Sequence, residues 1–201
     1  MRIVFFGTPD FAVPSLTRLI EGQYGVVAVV TAPDRPAGRG LKVTASPVKR
    51  CALDHHLPVL QPVNLRDPAF LAELESLKPD LQVIIAFRML PQQVWSLPPL
   101  GTFNLHASLL PQYRGAAPIQ RAVMNGETST GLTTFFLNDQ IDTGRIILAE
   151  RVEIGPEENS GELHDRLMVR GAAVVEATVN LIASGQVTET DQEQLLPAGA
   201  N

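Results

Sequence analysis

Val26-Val-Ala-Val-Val-Thr31 decides the fold. A β-branched run broken only by Ala28 offers no polar face to water, so it reads as a strand buried on both sides, as in a parallel sheet covered by helices. Upstream, Arg2 to Gly7 is a short apolar run that ends in a Gly-Thr-Pro turn, and Val13, Leu16, Leu19 and Ile20 follow at helical spacing. Downstream the alternation repeats. Ser46 can cap a helix with Pro47 at its first position, running to His56, and Val59 to Gln61 is a brief strand. Pro68 to Leu77 reads as a helix, Leu81 to Phe87 as a strand, Pro91 to Ser96 as a short helix and Gly101 to Ala107 as a strand. Beyond Pro111 the pattern predicts a helix near Ala117 to Asn125, strands near Leu132 to Leu137 and Ile146 to Val152, and a long helix from Ser160 to Ser184. Strands alternating with helices predict an α/β class: a doubly wound, mostly parallel Rossmann-like sheet of about seven strands with helices on both faces.

The 201 residues, 45% hydrophobic and 18% charged without a biased tract, fit one globular domain and exclude disordered, collagenous and coiled-coil readings. No Pro/Gly/Ser linker interrupts residues 1–185, so one domain is expected there, and the pattern predicts no element in the last dozen residues. The single cysteine, Cys51, cannot form an internal disulfide, which suits a reducing compartment, the cytoplasm. The apolar run at the N-terminus is too short for a signal peptide, and no later run approaches the ~20 apolar residues of a membrane span. Formal net charge is -5, but Asp34 to Arg50 holds Arg35, Arg39, Lys42, Lys49 and Arg50 against Asp34 alone, a local +4 that leaves -9 elsewhere. Residues 150–193 carry ten acids against Arg151, Arg166 and Arg170. A polyanion would therefore meet the early basic segment, although both clusters also read as solvated surface.

In a doubly wound sheet, sites form at the carboxyl ends of strands. Gly7-Thr-Pro-Asp10 lacks the three spaced glycines of a dinucleotide fingerprint and Pro9 removes an amide, so it reads as a tight strand-to-helix connection. Gly38-Arg-Gly-Leu-Lys42 lacks Walker spacing, and His55, His56, His106 and His164 fall in no metal-binding pattern, so neither a nucleoside triphosphate nor a metal is expected. In Gly101-Thr-Phe-Asn-Leu-His-Ala-Ser-Leu-Leu-Pro111, strand alternation puts Asn104 and His106 on one face at the carboxyl end. An amide donor beside an imidazole can stabilise an oxyanion and move a proton, the requirements of acyl transfer to an amine. The bland alternative is that Asn104 caps a turn and His106 is a satisfied structural histidine. Asp142-Thr-Gly144 lies in a loop between two strands and reads as an Asx turn with Gly144 at positive φ. Were the fold to bring Asp142 beside His106, the carboxylate would fix the imidazole and favour its protonated form.

Taken in order, Phe-x-Gly-Thr-Pro-Asp-Phe-Ala, Pro33-Asp-Arg-Pro-Ala-Gly-Arg-Gly40, Ser46-Pro-Val-Lys49, Asn104-Leu-His106-x-Ser108-Leu-Leu-Pro111, Arg114-Gly-Ala-Ala-Pro-Ile-Gln120 and Asp142-Thr-Gly144 resemble the methionyl-tRNA formyltransferase family across nearly the whole chain. Asn-x-His and the later Asp are shared with the wider group of 10-formyltetrahydrofolate-dependent transferases, whereas the basic loop and the Arg-Gly-Ala-Ala-Pro-Ile-Gln segment narrow the resemblance to the tRNA enzyme. It implies that residues 1–185 are the N-terminal catalytic, formyltransferase-fold domain and that 186–201 begin a linker to an absent C-terminal domain of the OB type. It implies formyl transfer from 10-formyltetrahydrofolate to the α-amine of methionine on initiator Met-tRNA, for translation initiation. Asn104 and His106 would stabilise the oxyanion while Asp142 orients His106 and assists proton removal. Ser108, Leu109, Leu110 and Pro111 would bind the folate, and Arg35, Arg39 and Lys42 would contact tRNA phosphates. The implied partners are tRNA and folate, with no membrane and the chain a monomer. Ala86-Phe-Arg-Met-Leu-Pro91 departs from the family, which commonly reads Ala-Tyr-Gly and is one residue longer there. The alternatives are a same-fold formyltransferase for glycinamide ribonucleotide or an amino sugar, and a non-catalytic folate- or tRNA-binding module.

Overall fold

The computed structural model describes residues 1–37 and 42–195, without the side chains of 35–37 and 42–43. The chain divides into two compact units, one of Met1–Thr102 and one that starts at Phe103.

In the first unit, β1 (Ile3–Gly7) is buried at every position and pairs in parallel with β2 (Val26–Val30) on one side. Two more strands complete this part of the sheet, after a small hairpin of β3 (Arg35–Ala37) and β4 (Lys42–Thr44) that stands apart from it. β5 (Val59–Leu60) pairs with β2, and β6 (Leu81–Ile85) with β1, both in parallel. The order β5-β2-β1-β6 makes β1 the strand from which the chain first goes one way and then the other, as a doubly wound sheet requires. The helices α1 (Val13–Glu21), α2 (Pro47–Asp54) and α3 (Pro68–Ser76) connect these strands, and α4 (Gln92–Trp95) follows β6. α2 starts as its sequence dictates: Pro47 sits in the first turn and the Ser46 hydroxyl accepts the Lys49 amide at 3.0 Å. At the end of β1, a Cβ on Gly7 would come within 2.9 Å of Ala12 Cβ and Phe5 Cε1. The first turn therefore needs its glycine for space, as a tight strand-to-helix connection.

In the second unit, β7 (Thr102–His106), β8 (Ser129–Phe136) and β9 (Ile146–Glu153) are antiparallel neighbours. α5 (Pro118–Met124) and α6 (Ser160–Ala183) follow β7 and β9, and α6 begins with a capping box between Asn159 and Glu162. The backbone of α6 approaches the sheet at Gly171, where a Cβ would lie 2.8 Å from Leu105 Cδ2. That contact fixes β7, the strand of the Asn-x-His motif. The α/β class and the seven main strands expected from sequence are therefore present, four of them parallel in the first unit and three antiparallel in the second. Among the described residues no helix is long and apolar enough to cross a membrane.

Two segments depart from the sequence pattern. The basic stretch after Thr31 has no alternation, yet its ends pair as the β3–β4 hairpin, Arg35 opposite Thr44 and Ala37 opposite Lys42. No element is expected in the last dozen residues, of which 190–195 are described. Thr190 instead bridges Ile146 in both directions, at 2.8 and 2.9 Å, and Gln192–Leu195 form a 3₁₀ turn.

Candidate active site

Asn104 and His106 stand two residues apart on β7 and so project from the same face. Asn104 lies opposite Phe135 of β8 and His106 opposite Thr133. His106, the last residue of its strand, is 7% exposed and both ring nitrogens face partners. Nε2 is 2.9 Å from the carbonyl oxygen of Tyr113, and Nδ1 is 3.5 Å from Asp142 Oδ2. A carbonyl can only accept, so Nε2 carries a proton, and the nitrogen left to gain or lose one is Nδ1, which faces the carboxylate. At 3.5 Å the contact is an ion-pair distance, longer than a hydrogen bond. The tighter bond to Asp142 Oδ2 comes from the Gly115 amide, 2.8 Å away.

The carboxylate is presented by an unusual backbone. Gly144 was expected at positive φ, but Asp142 itself holds the left-handed conformation, with φ 52°. The Asx turn belongs to Asn138, whose Oδ1 accepts from the Gln140 amide and the Thr143 hydroxyl, both at 3.0 Å. Gly144 is needed for close approach: a Cβ there would lie 1.6 Å from the Phe136 carbonyl oxygen. Gly144→Ala is therefore expected to push β8 and the Asp142 loop apart and destabilise the fold by about 3 kcal/mol or more. Thermal unfolding checks this, with a midpoint lowered by several degrees and activity lost in parallel.

Ser108 to Pro111 form the turn after β7. Ser108 is fully buried, its hydroxyl donating to the Gln112 carbonyl and its own carbonyl accepting from Thr133 Oγ1 at 2.6 Å. Leu110 packs into the core with Phe135 and Ile146, and its amide donates to Thr133 Oγ1. Leu109 lies against Gly131, where a Cβ would come 2.4 Å from Leu109 Cδ2. Ser108 and Leu110 thus shape the turn, on which Leu109 and Pro111 are half-buried.

The residues expected to meet tRNA belong to the first unit. Arg35 and Lys42 lie in β3 and β4, and Arg39 lies outside the described residues. The root of their loop is well tied. Lys49 Nζ donates to Asp34 and to Gln61 Oε1, and Gln61 Nε2 returns bonds of 2.8 Å to Asp34 Oδ1 and the Ala32 carbonyl. The hydrogen bond from Lys49, seconded by Gln61, holds the Asp34 carboxyl below its ordinary range. The hydroxyls of Thr31 and Ser46 meet at 2.8 Å across the same root. Beside it opens a cavity of about 560 Å³ lined by Thr8, Pro33, Ser46, Arg50, Phe87 and Arg88 among others. In the segment that departs from the family pattern, the Arg88 guanidinium lies 5.7 Å from the Phe87 ring centroid and donates to the carbonyls of Pro62 and Val63.

Two contributors escaped the sequence reading, Tyr113 and Gly115. They enter through backbone groups that no side-chain pattern marks; both have positive φ, 56° and 85°. Among the described residues no cluster of His, Cys, Asp or Glu could hold a metal ion.

The model of the formyl transferase family matches residues 1–179. The chain is 56% identical over 199 residues to a methionyl-tRNA formyltransferase of Bacteroides fragilis, covering 99% of this chain and 61% of the relative. It is 57% identical over 193 residues to that of Flavobacterium johnsoniae, covering 96% and 61%. The chain thus spans about three-fifths of the length of these curated relatives. Among solved structures, glycinamide ribonucleotide transformylase 1 from Symbiobacterium toebii superposes with a TM-score of 0.78 at 18% identity, covering 95% of this chain and 94% of the other. An N-formyltransferase from Helicobacter canadensis, in complex with folinic acid and dTDP-3-aminofucose, does so at 0.73 with 20% identity, covering 96% and 67%. Those two likenesses speak for the fold, and the extent of the family match settles descent: the chain belongs to the formyl transferase family.

Proposed function

We propose that this chain transfers the formyl group of 10-formyltetrahydrofolate to the α-amine of methionine on initiator Met-tRNA, acting as a monomer in the cytoplasm. The observation that carries this reading is the His106–Asp142 pair at the end of β7, two residues beyond Asn104, in a chain more than half identical to methionyl-tRNA formyltransferases. The donor set fits the task. A carboxamide and an imidazole-carboxylate pair suit a carbonyl that gains negative charge as an amine adds to it.

Asn104 donates from its carboxamide to the formyl oxygen as charge develops there, and a proton on His106 Nδ1 adds a second donor. Asp142 faces Nδ1 and orients the ring, while the Tyr113 carbonyl keeps the ring from turning. The methionine nitrogen bonds to the formyl carbon as the bond from that carbon to the donor nitrogen breaks. The Nδ1 proton of His106 passes to the departing nitrogen, and the proton lost by the amine, taken up by the Asp142 carboxylate, replaces it on Nδ1. Leu109 and Pro111 are assigned to the folate, with Ser108 and Leu110 holding the turn that presents them. Arg35, Arg39 and Lys42 are assigned to the phosphates of the tRNA acceptor end.

The test of the tRNA assignment is Arg39→Ala. Its KM for Met-tRNA is expected to rise about tenfold or more, with a weaker salt dependence, since a lost phosphate contact lowers the salt slope by about one. Folate binding, followed by titration, is expected to stay unchanged. Equal losses in both would reject it.

A further inference from the structure

Gln192 lies beyond α6, in a segment with no hydrophobic periodicity, yet it is 1% exposed and every polar group of its side chain is engaged. Nε2 donates to the backbone carbonyls of Asp142 at 3.0 Å and Gly144 at 2.8 Å. Oε1 accepts from Arg114 Nε at 3.0 Å and Nη2 at 2.8 Å. The carboxamide therefore joins two loops. One carries Asp142; the other carries Gly115, next to Arg114, whose amide binds the Asp142 carboxylate. Gln192 is itself held by the two-way bridge between Thr190 and Ile146 and by the 3₁₀ turn that it opens.

The backbone at Asp142 needs such a clamp. A left-handed φ of 52° is disfavoured for a non-glycine residue and persists only where the surroundings impose it. Gln192 supplies the two donors that hold the carbonyls on either side of Thr143, and it fixes the arginine that precedes the other support of the carboxylate. A shift of a few tenths of an ångström at Asp142 would alter a contact that is already 3.5 Å from His106. No other side chain of this length is neutral and offers two donors and an acceptor together. Glutamate keeps the acceptor for Arg114 but faces two carbonyls with no donor, and methionine keeps only the volume.

We propose that Gln192 is a positioning residue for the reaction. It acts through Asp142, sets the distance between that carboxylate and His106 Nδ1, and makes residues 186–195 part of the working site. This rests on the roles proposed above for Asp142 and His106.

The experiment compares Gln192→Met and Gln192→Glu with Asp142→Asn and the double variants, measuring kcat, KM for each substrate, the pH profile of kcat and the thermal midpoint. Both Gln192 variants are expected to lower kcat about 10- to 100-fold, since a misplacement of about 1 Å in a reacting group has effects of that size. KM for the folate should stay within about threefold, and the pH profile of kcat should move because the Asp142 carboxylate is no longer held at a fixed distance from His106. In the Asp142→Asn background the Gln192 substitutions should add little, because both act through one carboxylate. Should Gln192→Met fail to fold, Gln192→Glu carries the same comparison. Three results would overturn the proposal: kcat and pH profile unchanged with only the thermal midpoint lowered, losses that multiply fully with Asp142→Asn, or a Gln192→Glu variant at wild-type rate. The last would show that holding Arg114 suffices. Full activity of Asp142→Asn would instead overturn the reading of the site on which the proposal rests.

Discussion

Asn104→Ala is expected to lower the rate of formyl transfer about 100-fold or more, while the folate still binds. The size follows from what the side chain does. A single pre-aimed donor to a developing oxyanion is worth about 10²- to 10³-fold, equivalent to about 3 to 4 kcal/mol, because it strengthens as charge builds and needs no reorganisation. Asn104 is half-buried on β7, so the truncation leaves a small gap at the sheet surface and little strain in the fold. The loss should fall on kcat, with KM for either substrate within about threefold, since the interaction is made in the transition state. Single-turnover rates with saturating folate and Met-tRNA measure it directly. A rate within about threefold of wild type would remove Asn104 from the chemistry and leave it a strand residue.

Asp142→Ala should cost as much, by another route. The carboxylate has two partners, the Gly115 amide at 2.8 Å and His106 Nδ1 at 3.5 Å. With it gone, Nδ1 faces no charge that would hold its proton, while Nε2 remains committed to the Tyr113 carbonyl. The ring then keeps its place but loses the partner that lets it act as acid and base. A loss on the order of 100-fold in kcat is expected, comparable to that from removing any group that holds a catalytic imidazole in its working protonation state. Asp142→Asn separates charge from shape. Its carboxamide oxygen can still accept from Gly115, so the loop should stay in place while the rate remains low. An Asp142→Asn variant as fast as wild type, with the loop intact, would mean that the acid serves only to bind Gly115.

The parallel half of the fold was legible because its strands, Gln82 apart, are apolar on both faces. Ile3 to Gly7, Val26 to Val30 and Leu81 to Ile85 admit no other reading once helices at 3.6 spacing separate them. Strand β8 was only half visible. It begins at Ser129, three residues before the apolar run, because Thr130 and Gly131 pair with β9 through backbone groups while offering no hydrophobic signal. The β3–β4 hairpin was hidden for the same reason, in a stretch of Arg, Pro and Gly. At the site, strand alternation placed Asn104 and His106 on one face, since a period of two is a local property. The approach of Asp142 was a condition the sequence could pose without answering, because it depends on a turn 36 residues further on. The glycine of Asp-Thr-Gly suggested positive φ, but the strained angle fell on the aspartate and the glycine answered to the Phe136 carbonyl. Gln192 left no trace, since a lone glutamine in a polar stretch looks the same whether it is solvated or, as here, buried with four hydrogen bonds.

The most direct measurement is formyl transfer from 10-formyltetrahydrofolate with Met-tRNA, glycinamide ribonucleotide and a nucleotide-linked amino sugar offered side by side, to the wild-type chain and to Asn104→Ala. Formyl-methionine should form on the tRNA and the small amines should stay unmodified, with the variant slower by about 100-fold. Formylation of a small amine in preference to Met-tRNA, or an Asn104→Ala variant that keeps the wild-type rate, would contradict it.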